Sequence, residues 1–256
     1  MRVLQAVLVV MYSFMLWHEV RRDLTEYASF KLLTETADRQ KRYRGWVLRG
    51  LLIFSGSALV GLILLGQWHT LMSMPTEFNG FAQALRKSMP DVHFSKEFLL
   101  TFGSTLFAGA VLGGVIAAKI VDQGGSAVVG DIEPLMPRTW AETGYTMLLA
   151  LNAGLGEELL FRLFLPLLLA LLSGSATFAF VTAALVFGLM HVYQGVFGVL
   201  MTMVLGCILT AIYLVTGSIW VAIAIHAGID VMGLVVRPTV VRFLRTDRVN
   251  VPSQTS

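Results

Sequence analysis

Residues 156–162 read Gly-Glu-Glu-Leu-Leu-Phe-Arg and place two adjacent carboxylates and an arginine inside a long apolar run. From residue 143 to residue 236, the only Asp, Glu, Lys, Arg or His residues are Glu157, Glu158, Arg162, His191, His226 and Asp230. Charge inside a hydrophobic span is unfavourable, so such residues usually face the interior of a bundle and mark function. Six ionisable groups of complementary types therefore predict one polar site built from several helices.

The composition predicts an integral, multi-pass membrane protein. The chain has 256 residues, of which 56% are hydrophobic and only 14% are charged, whereas a soluble domain carries nearer a quarter charged residues. The net charge of +3 comes from clustered basic residues, a pattern that suits membrane topology and lipid headgroups rather than nucleic acid. The single cysteine, Cys207, excludes an internal disulfide and is predicted to be a small buried hydrophobe.

The expected fold is all-α: a polytopic transmembrane bundle of about seven to eight spans around an intramembrane polar cavity. The predicted spans are 3–17, 46–66, 98–118, 140–172, 176–193, 195–216 and 218–236. We expect the charged segment 19–44 to be a solvated or interface-lying helix, and Arg49 to reach the headgroups. Pro166 is expected to kink the fourth span.

Two parts of one bundle are expected. Residues 1–138 would supply N-terminal spans and a basic cytoplasmic segment, and residues 139–256 a catalytic core with a basic C-terminal tail. With the segment 19–44 in the cytoplasm, seven spans bring the tail to the cytoplasm as well, as the positive-inside rule requires.

The Glu doublet has two interpretations. Glu158 and Arg162 lie four residues apart, so they share a helix face and can pair, while Glu157 points about 100° away and stays available as a general base. A structural Glu–Arg pair that joins helices is the alternative, but a second buried acid then needs a second partner.

The two histidines lie on different predicted spans. His191 follows the sequence Phe-Gly-Leu-Met, and His226 lies one turn before Asp230 on the same helix face. A lone histidine in a span is more often a packing residue. Glu157, His191 and His226 would also be a workable zinc set, so a divalent metal such as zinc is a candidate cofactor. The local His-Glu-x-x-His signature of zinc hydrolases is absent from the sequence.

Together these motifs resemble a known family. Glu157-Glu158-x-x-x-Arg162, Phe187-x-x-x-His191 and His226-x-x-x-Asp230 are similar to the three motifs of the CPBP family, the CAAX prenyl protease and bacteriocin-processing (Abi-type) intramembrane proteases. The motifs occur in the family's order, and the resemblance covers about residues 139–236.

The resemblance implies hydrolysis of a peptide bond in a membrane-anchored or hydrophobic peptide or protein substrate. It assigns Glu157 as the general base with His191 beside it, and His226 as the residue that faces the tetrahedral intermediate. Glu158 and Arg162 would hold these groups in place. Family members that process prenylated proteins carry Asn where this chain has Asp230. An ionised Asp cannot donate to an oxyanion, so Asp230 would be protonated, bind a metal, or orient His226 or a substrate group.

A second class of function stays open at this point. Acid and histidine side chains in spans also serve transporters and non-catalytic immunity-type partners, as proton relays or as helix contacts. An inverted repeat of broken helices would favour a transporter, and the sequence contains no evident repeat of this kind. The expected location is the cytoplasmic membrane of a prokaryotic cell.

Overall fold

The computed structural model describes residues 1–89, 95–122 and 131–249, and this part of the chain is helical with no strand. The predicted all-α fold is therefore confirmed. The helices are α1 (Arg2–Phe30), α2 (Thr36–Gly50), α3 (Ser57–Leu64), α4 (Asn79–Ser88), α5 (Lys96–Asp122), α6 (Trp140–Glu158), α7 (Leu165–Ser173), α8 (Ala176–Met190), α9 (Gly195–Thr216), α10 (Ile219–Val231) and α11 (Arg237–Val249).

Among the described residues, five helical stretches are long and apolar enough to cross a membrane: Arg2–Phe30, Thr36–Leu64, Leu100–Ile120, Val192–Thr216 and Ile219–Arg245. The shorter apolar helix α8 follows the α6–α7 stretch, whose apolar part carries the three charged residues of the Glu doublet motif. The described residues thus show five candidate spans and shorter apolar helices, and the count of seven to eight spans stays a prediction. The chain is an integral membrane protein with a polytopic helical bundle.

In the part of the chain that the structure describes, three π-helical segments interrupt the long helices, at Leu51–Gly56, Leu159–Phe164 and Met232–Val236. The second directly follows the Glu doublet, and the other two contribute Phe54 and Gly233 to the wall of a central cavity. Pro166 lies at the first turn of α7, just after the second segment. Since proline has no N–H to donate to the carbonyl four residues earlier, the widened π turns occur where the predicted kink was expected.

The segment 19–44 differs from its prediction. It forms the second half of α1 and the first half of α2, and Arg39 within it is fully buried. Its guanidinium Nε lies 3.1 Å from Glu142 Oε2 on α6, and both side chains are inaccessible to solvent. Arg49 lies against carboxylates of α1 rather than reaching headgroups. The prediction of a solvated helix is therefore wrong for Glu19 and Arg39, which pair within the bundle, whereas Arg21, Lys41 and Arg44 are exposed.

Two smaller expectations also change. The basic C-terminal tail forms α11, which packs against α5, and Arg242 lies 4.1 Å from the centre of the Trp140 ring; residues 250–256 lie outside the described residues. Cys207 is exposed on α9 rather than buried. A lipid-facing surface is as apolar as a core, so an apolar run does not distinguish the two positions.

Candidate active site

A cavity of about 350 Å³ is lined by residues of the N-terminal helices α1 and α2 and by residues of the C-terminal half of the chain. Four of the predicted site residues line it: Glu157 at the end of α6, His191 just after α8, and His226 and Asp230 on α10. The structure therefore brings together carboxylates and imidazoles from three separate helices. Glu158 and Arg162 lie behind this wall, buried to 0% and 1% side-chain exposure.

Glu158 holds two of the site's other residues at once. Its Oε1 lies 2.7 Å from His226 Nδ1 and 3.2 Å from Arg162 Nη1. The predicted Glu158–Arg162 pair is therefore present as an ion pair, although the Arg162 Nη atoms and Glu158 Oε2 have no hydrogen-bond partner among the described residues. Arg162 also stacks 4.1 Å from the centre of the Phe187 ring. Because a carboxylate only accepts, Nδ1 of His226 carries the proton of this bond.

The other nitrogen of His226 faces two further carboxylates. Its Nε2 lies 3.8 Å from Glu157 Oε2 and 3.7 Å from Asp230 Oδ2. Both distances exceed a direct hydrogen bond, so they suit a bridging water or a substrate oxygen. Glu157 and Asp230 are partly accessible, with side chains 15% and 25% exposed, whereas His226 is 3% exposed. The imidazole thus stands between a buried carboxylate and two that border the cavity.

His191 is oriented by its own helix end. Its Nδ1 lies 2.9 Å from the carbonyl oxygen of Phe187, one turn earlier. A carbonyl oxygen accepts only, so Nδ1 is the protonated nitrogen, and Nε2 of the neutral ring keeps a lone pair. The helix ends at Met190, and Tyr193 packs its ring over the imidazole at 6.0 Å. The motif Phe187-x-x-x-His191 therefore fixes both the ring and its tautomer.

Close helix packing sets these distances. A Cβ atom at Gly154 on α6 would lie 2.6 Å from the backbone nitrogen of Ala227 on α10, far inside normal contact. Ala227 follows His226 directly, and Gly154 precedes the Glu doublet by one turn. Only glycine allows α6 and α10 to approach this closely, and that approach brings Glu158 within reach of His226.

The proposed zinc set does not have the geometry of a metal site. Within residues 1–89, 95–122 and 131–249, no group of three or more His, Cys, Asp or Glu side chains is arranged to hold a metal ion. His226 Nδ1 is already engaged by Glu158, which leaves Nε2, 3.8 Å from Glu157 Oε2 and 3.7 Å from Asp230 Oδ2, as its remaining ring nitrogen. The described residues therefore do not support the predicted zinc set.

A second charged group, which was not predicted from the sequence, lies in the same cavity. Glu19, Asp23 and Arg49, from α1 and α2, line its wall together with Asn152 and Arg237. A signal was present, because residues 19, 23 and 26 of α1 are all acidic and share one helix face at spacings of four and three. Their charge predicted exposure to solvent, but they pair with Arg49 on α2.

A comparison with known protein families matches the segment that contains these site residues. Residues 139–232 match the family of Rce1-like type II CAAX prenyl endopeptidases. The match covers less than half of the 256 residues and includes all three motifs, and it confirms the CPBP resemblance. It supports a CAAX-type intramembrane protease in general. No curated protein and no solved structure matches the chain.

Proposed function

We propose that this protein is an intramembrane endopeptidase that hydrolyses a peptide bond in a membrane-anchored or hydrophobic peptide or protein. The observation that carries the proposal is the arrangement around His226, whose two nitrogens face Glu158 on one side and Glu157 and Asp230 on the other. A structural ion pair needs one carboxylate, and here three surround one imidazole at the edge of a cavity. The Rce1-like match of residues 139–232 supports the same reaction class.

In the proposed reaction Glu157 is the general base. It takes a proton from a water molecule, and the resulting hydroxide attacks the carbonyl carbon of the scissile peptide bond. His191 orients this water by accepting a hydrogen bond at Nε2, the nitrogen that Phe187 leaves unprotonated. The proton on Glu157 then passes to the leaving amine nitrogen as the carbon–nitrogen bond breaks. Glu157 ends the cycle as a carboxylate.

His226 stabilises the tetrahedral intermediate. Since Nδ1–H donates to Glu158, Nε2 donates to the oxyanion when the ring is an imidazolium. Glu158 and Asp230 supply the negative charge that accompanies this imidazolium, which gives Asp230 a role that does not require it to donate a hydrogen bond. Arg162 balances the charge of Glu158 and holds its carboxylate against His226.

The reaction takes place within a bundle whose two parts share the cavity. We propose that residues 1–138 contribute spans and a basic cytoplasmic segment, that residues 139–256 form the catalytic core, and that the bundle lies in the cytoplasmic membrane of a prokaryotic cell. Hydrolysis needs water at membrane depth, and a non-helical substrate backbone is tolerated there only where protein or water satisfies its polar groups. The charged lining of the cavity meets that requirement.

Reconstitution tests the proposal directly. The purified chain is placed in liposomes with a library of membrane-anchored hydrophobic reporter peptides, and products are identified by mass spectrometry. We expect defined cleavage products, and a loss of about 10²–10⁴-fold in Glu157→Gln, the range typical of a general base. Glu77→Gln, which removes an acid outside the cavity, is the matched control and keeps the activity. Absence of any product, or full activity in Glu157→Gln, would favour a non-catalytic membrane protein.

A further inference from the structure

The cavity has a second charged end that lies outside the segment matched by the protease family. Glu19 and Asp23 of α1 and Arg49 of α2 line the same cavity as Glu157, His191 and His226. We call Glu19 and Asp23 the acidic end. A substrate bound in this cavity can therefore contact both the catalytic residues and the acidic end.

The charges at the acidic end are not balanced. Arg49 places Nε 2.9 Å from Glu19 Oε2, Nη2 2.5 Å from Asp23 Oδ1 and Nη1 2.8 Å from Glu26 Oε2. One guanidinium is thus divided among three carboxylates, and all three of its nitrogens are engaged.

Glu26 differs from the other two acids, because Arg22 and Arg42 also lie within 4 Å of it and it does not line the cavity. Within the described part of the chain, Arg49 is the only arginine or lysine within 4 Å of Glu19 and of Asp23. The two acids that line the cavity, Glu19 and Asp23, therefore share a single positive charge, which Glu26 also contacts.

Both acids also keep an oxygen that can accept a further donor. Glu19 has a side chain only 6% exposed, yet near its Oε1 the described residues offer just His18 Nδ1, at 3.6 Å, which is longer than a hydrogen bond. For Asp23 the recorded contact is through Oδ1, and no described donor bonds to Oδ2. Neither oxygen is among the fully buried polar atoms that lack a partner in the described residues, and the Asp23 side chain is 24% exposed. Both oxygens are therefore open to a donor that enters the cavity.

We propose that the acidic end binds a lysine or arginine side chain of the substrate, which makes Asp23 and Glu19 specificity-determining residues; this inference rests on the proposed protease function. The wall carries four carboxylates, at Glu19, Asp23, Glu157 and Asp230, against two arginines, Arg49 and Arg237, so an anionic group would face an excess of negative charge. Arg49 is already shared among carboxylates and has little to offer such a group. An ammonium or guanidinium group instead supplies the donors that Glu19 and Asp23 lack.

Binding to an inactivated enzyme tests the idea without requiring cleavage. The Glu157→Gln variant is reconstituted in phosphatidylcholine nanodiscs and titrated with decapeptides of leucine and alanine, acetylated, amidated and labelled with an uncharged fluorophore. Each peptide carries one Lys, Gln or Glu, placed at every position in turn, and anisotropy reports the affinity. Empty nanodiscs correct for partitioning into lipid.

At one position or a few, we expect the Lys peptide to bind about tenfold or more tightly than the Glu peptide, as one charge-assisted hydrogen bond allows. Adding Asp23→Asn should reduce this ratio to about threefold or less, whereas Asp23→Glu and the neighbouring Glu26→Gln should preserve it. A preference for Lys at no position, or one that survives Asp23→Asn, overturns the inference. Cleavage by the wild-type chain is scored separately: products without a Lys preference refute the acidic end alone, and Asp23-dependent Lys binding without products refutes only the protease.

Discussion

Replacing Glu158 by Gln should destabilise the protein much more than replacing Glu157 by Gln. This difference would distinguish a structural carboxylate from a catalytic one. Glu158 is fully buried, and its Oε1 contacts both Arg162 and His226. Glutamine keeps the shape but removes the charge, so it leaves the Arg162 guanidinium, 1% exposed, without a carboxylate. Breaking a buried ion pair by changing one partner costs about 3–5 kcal/mol.

The same change at Glu157 should affect stability little. Its side chain is 15% exposed, and its nearest charged contact, His226 Nε2, lies 3.8 Å away. We expect a loss of about 1 kcal/mol or less, within the range of partly exposed ion pairs. For a chain of this size, the difference between the two variants corresponds to a midpoint shift on the order of 10 °C.

Thermal unfolding of the purified variants in detergent, followed by circular dichroism, measures the difference. The double variant Glu158→Gln, Arg162→Met is the informative control, because removing both members of a buried pair is often close to neutral. We expect it to recover part of the stability lost in Glu158→Gln alone. Equal midpoints for Glu157→Gln and Glu158→Gln would refute the division of roles between the two acids. So would a double variant that is no more stable than Glu158→Gln alone.

Three further outcomes are expected. Gly154→Ala should lower kcat about 10²-fold, because its Cβ would force α10 away from α6. A displacement near 1 Å is enough for a loss of this size. The control Gly144→Ala should keep the full rate, because a Cβ at Gly144 meets nothing within 4 Å. Asp230→Asn should reduce kcat at least about tenfold with little change in the unfolding midpoint, because it removes one of the charges facing His226; an unchanged kcat would mean that Asp230 acts as Asn does in prenyl-processing relatives. In a Cys207→Ser background, Val192→Cys should react with a membrane-impermeant maleimide added from the cytoplasmic face, and labelling only from the outer face would reverse the orientation.

The orientation in the labelling test depends on contacts that join distant parts of the chain. Tyr193, next to Val192, packs its ring 5.0 Å from that of Tyr27 at the end of α1. Tyr27 also donates to the backbone carbonyl of Asp131, whose own N–H bonds to the Gln194 carbonyl. The cavity end near His191 therefore lies on the same side as the basic segment that the positive-inside rule assigns to the cytoplasm.

The residues of the candidate site could be found from sequence because the surrounding spans hold so few charges. A charged side chain among apolar residues has few stable positions other than the bundle interior, so its presence alone predicts where it points. The pairing of Glu158 with Arg162 follows from helix periodicity. The contact between Glu158 and His226 could not be predicted in this way, because it joins residues 68 apart and depends on how closely α6 and α10 cross.

The same limit explains the error at Arg39. Local composition predicts a solvated helix for the segment 19–44, since no nearby apolar face is available to bury its charges. Its actual partner, Glu142, is 103 residues away on α6, and further bonds from Arg39 go to the backbone carbonyls of Pro134 and Met136. A buried charge is stable only with such partners, and hydropathy along the chain carries no information about them.

The residues that line the cavity come from two separate regions of the chain. The groups proposed to act on the peptide bond all belong to residues 139–232, the segment that matches the Rce1-like family. Another part of the wall comes from α1 and α2, outside that segment, and it carries Glu19, Asp23 and Arg49. Function resides in side chains placed on a fold rather than in the fold itself, so the hydrolytic chemistry can stay constant while the α1–α2 wall changes. Substrate preference should therefore follow substitutions in residues 19–49 and the rate of hydrolysis substitutions in residues 154–230.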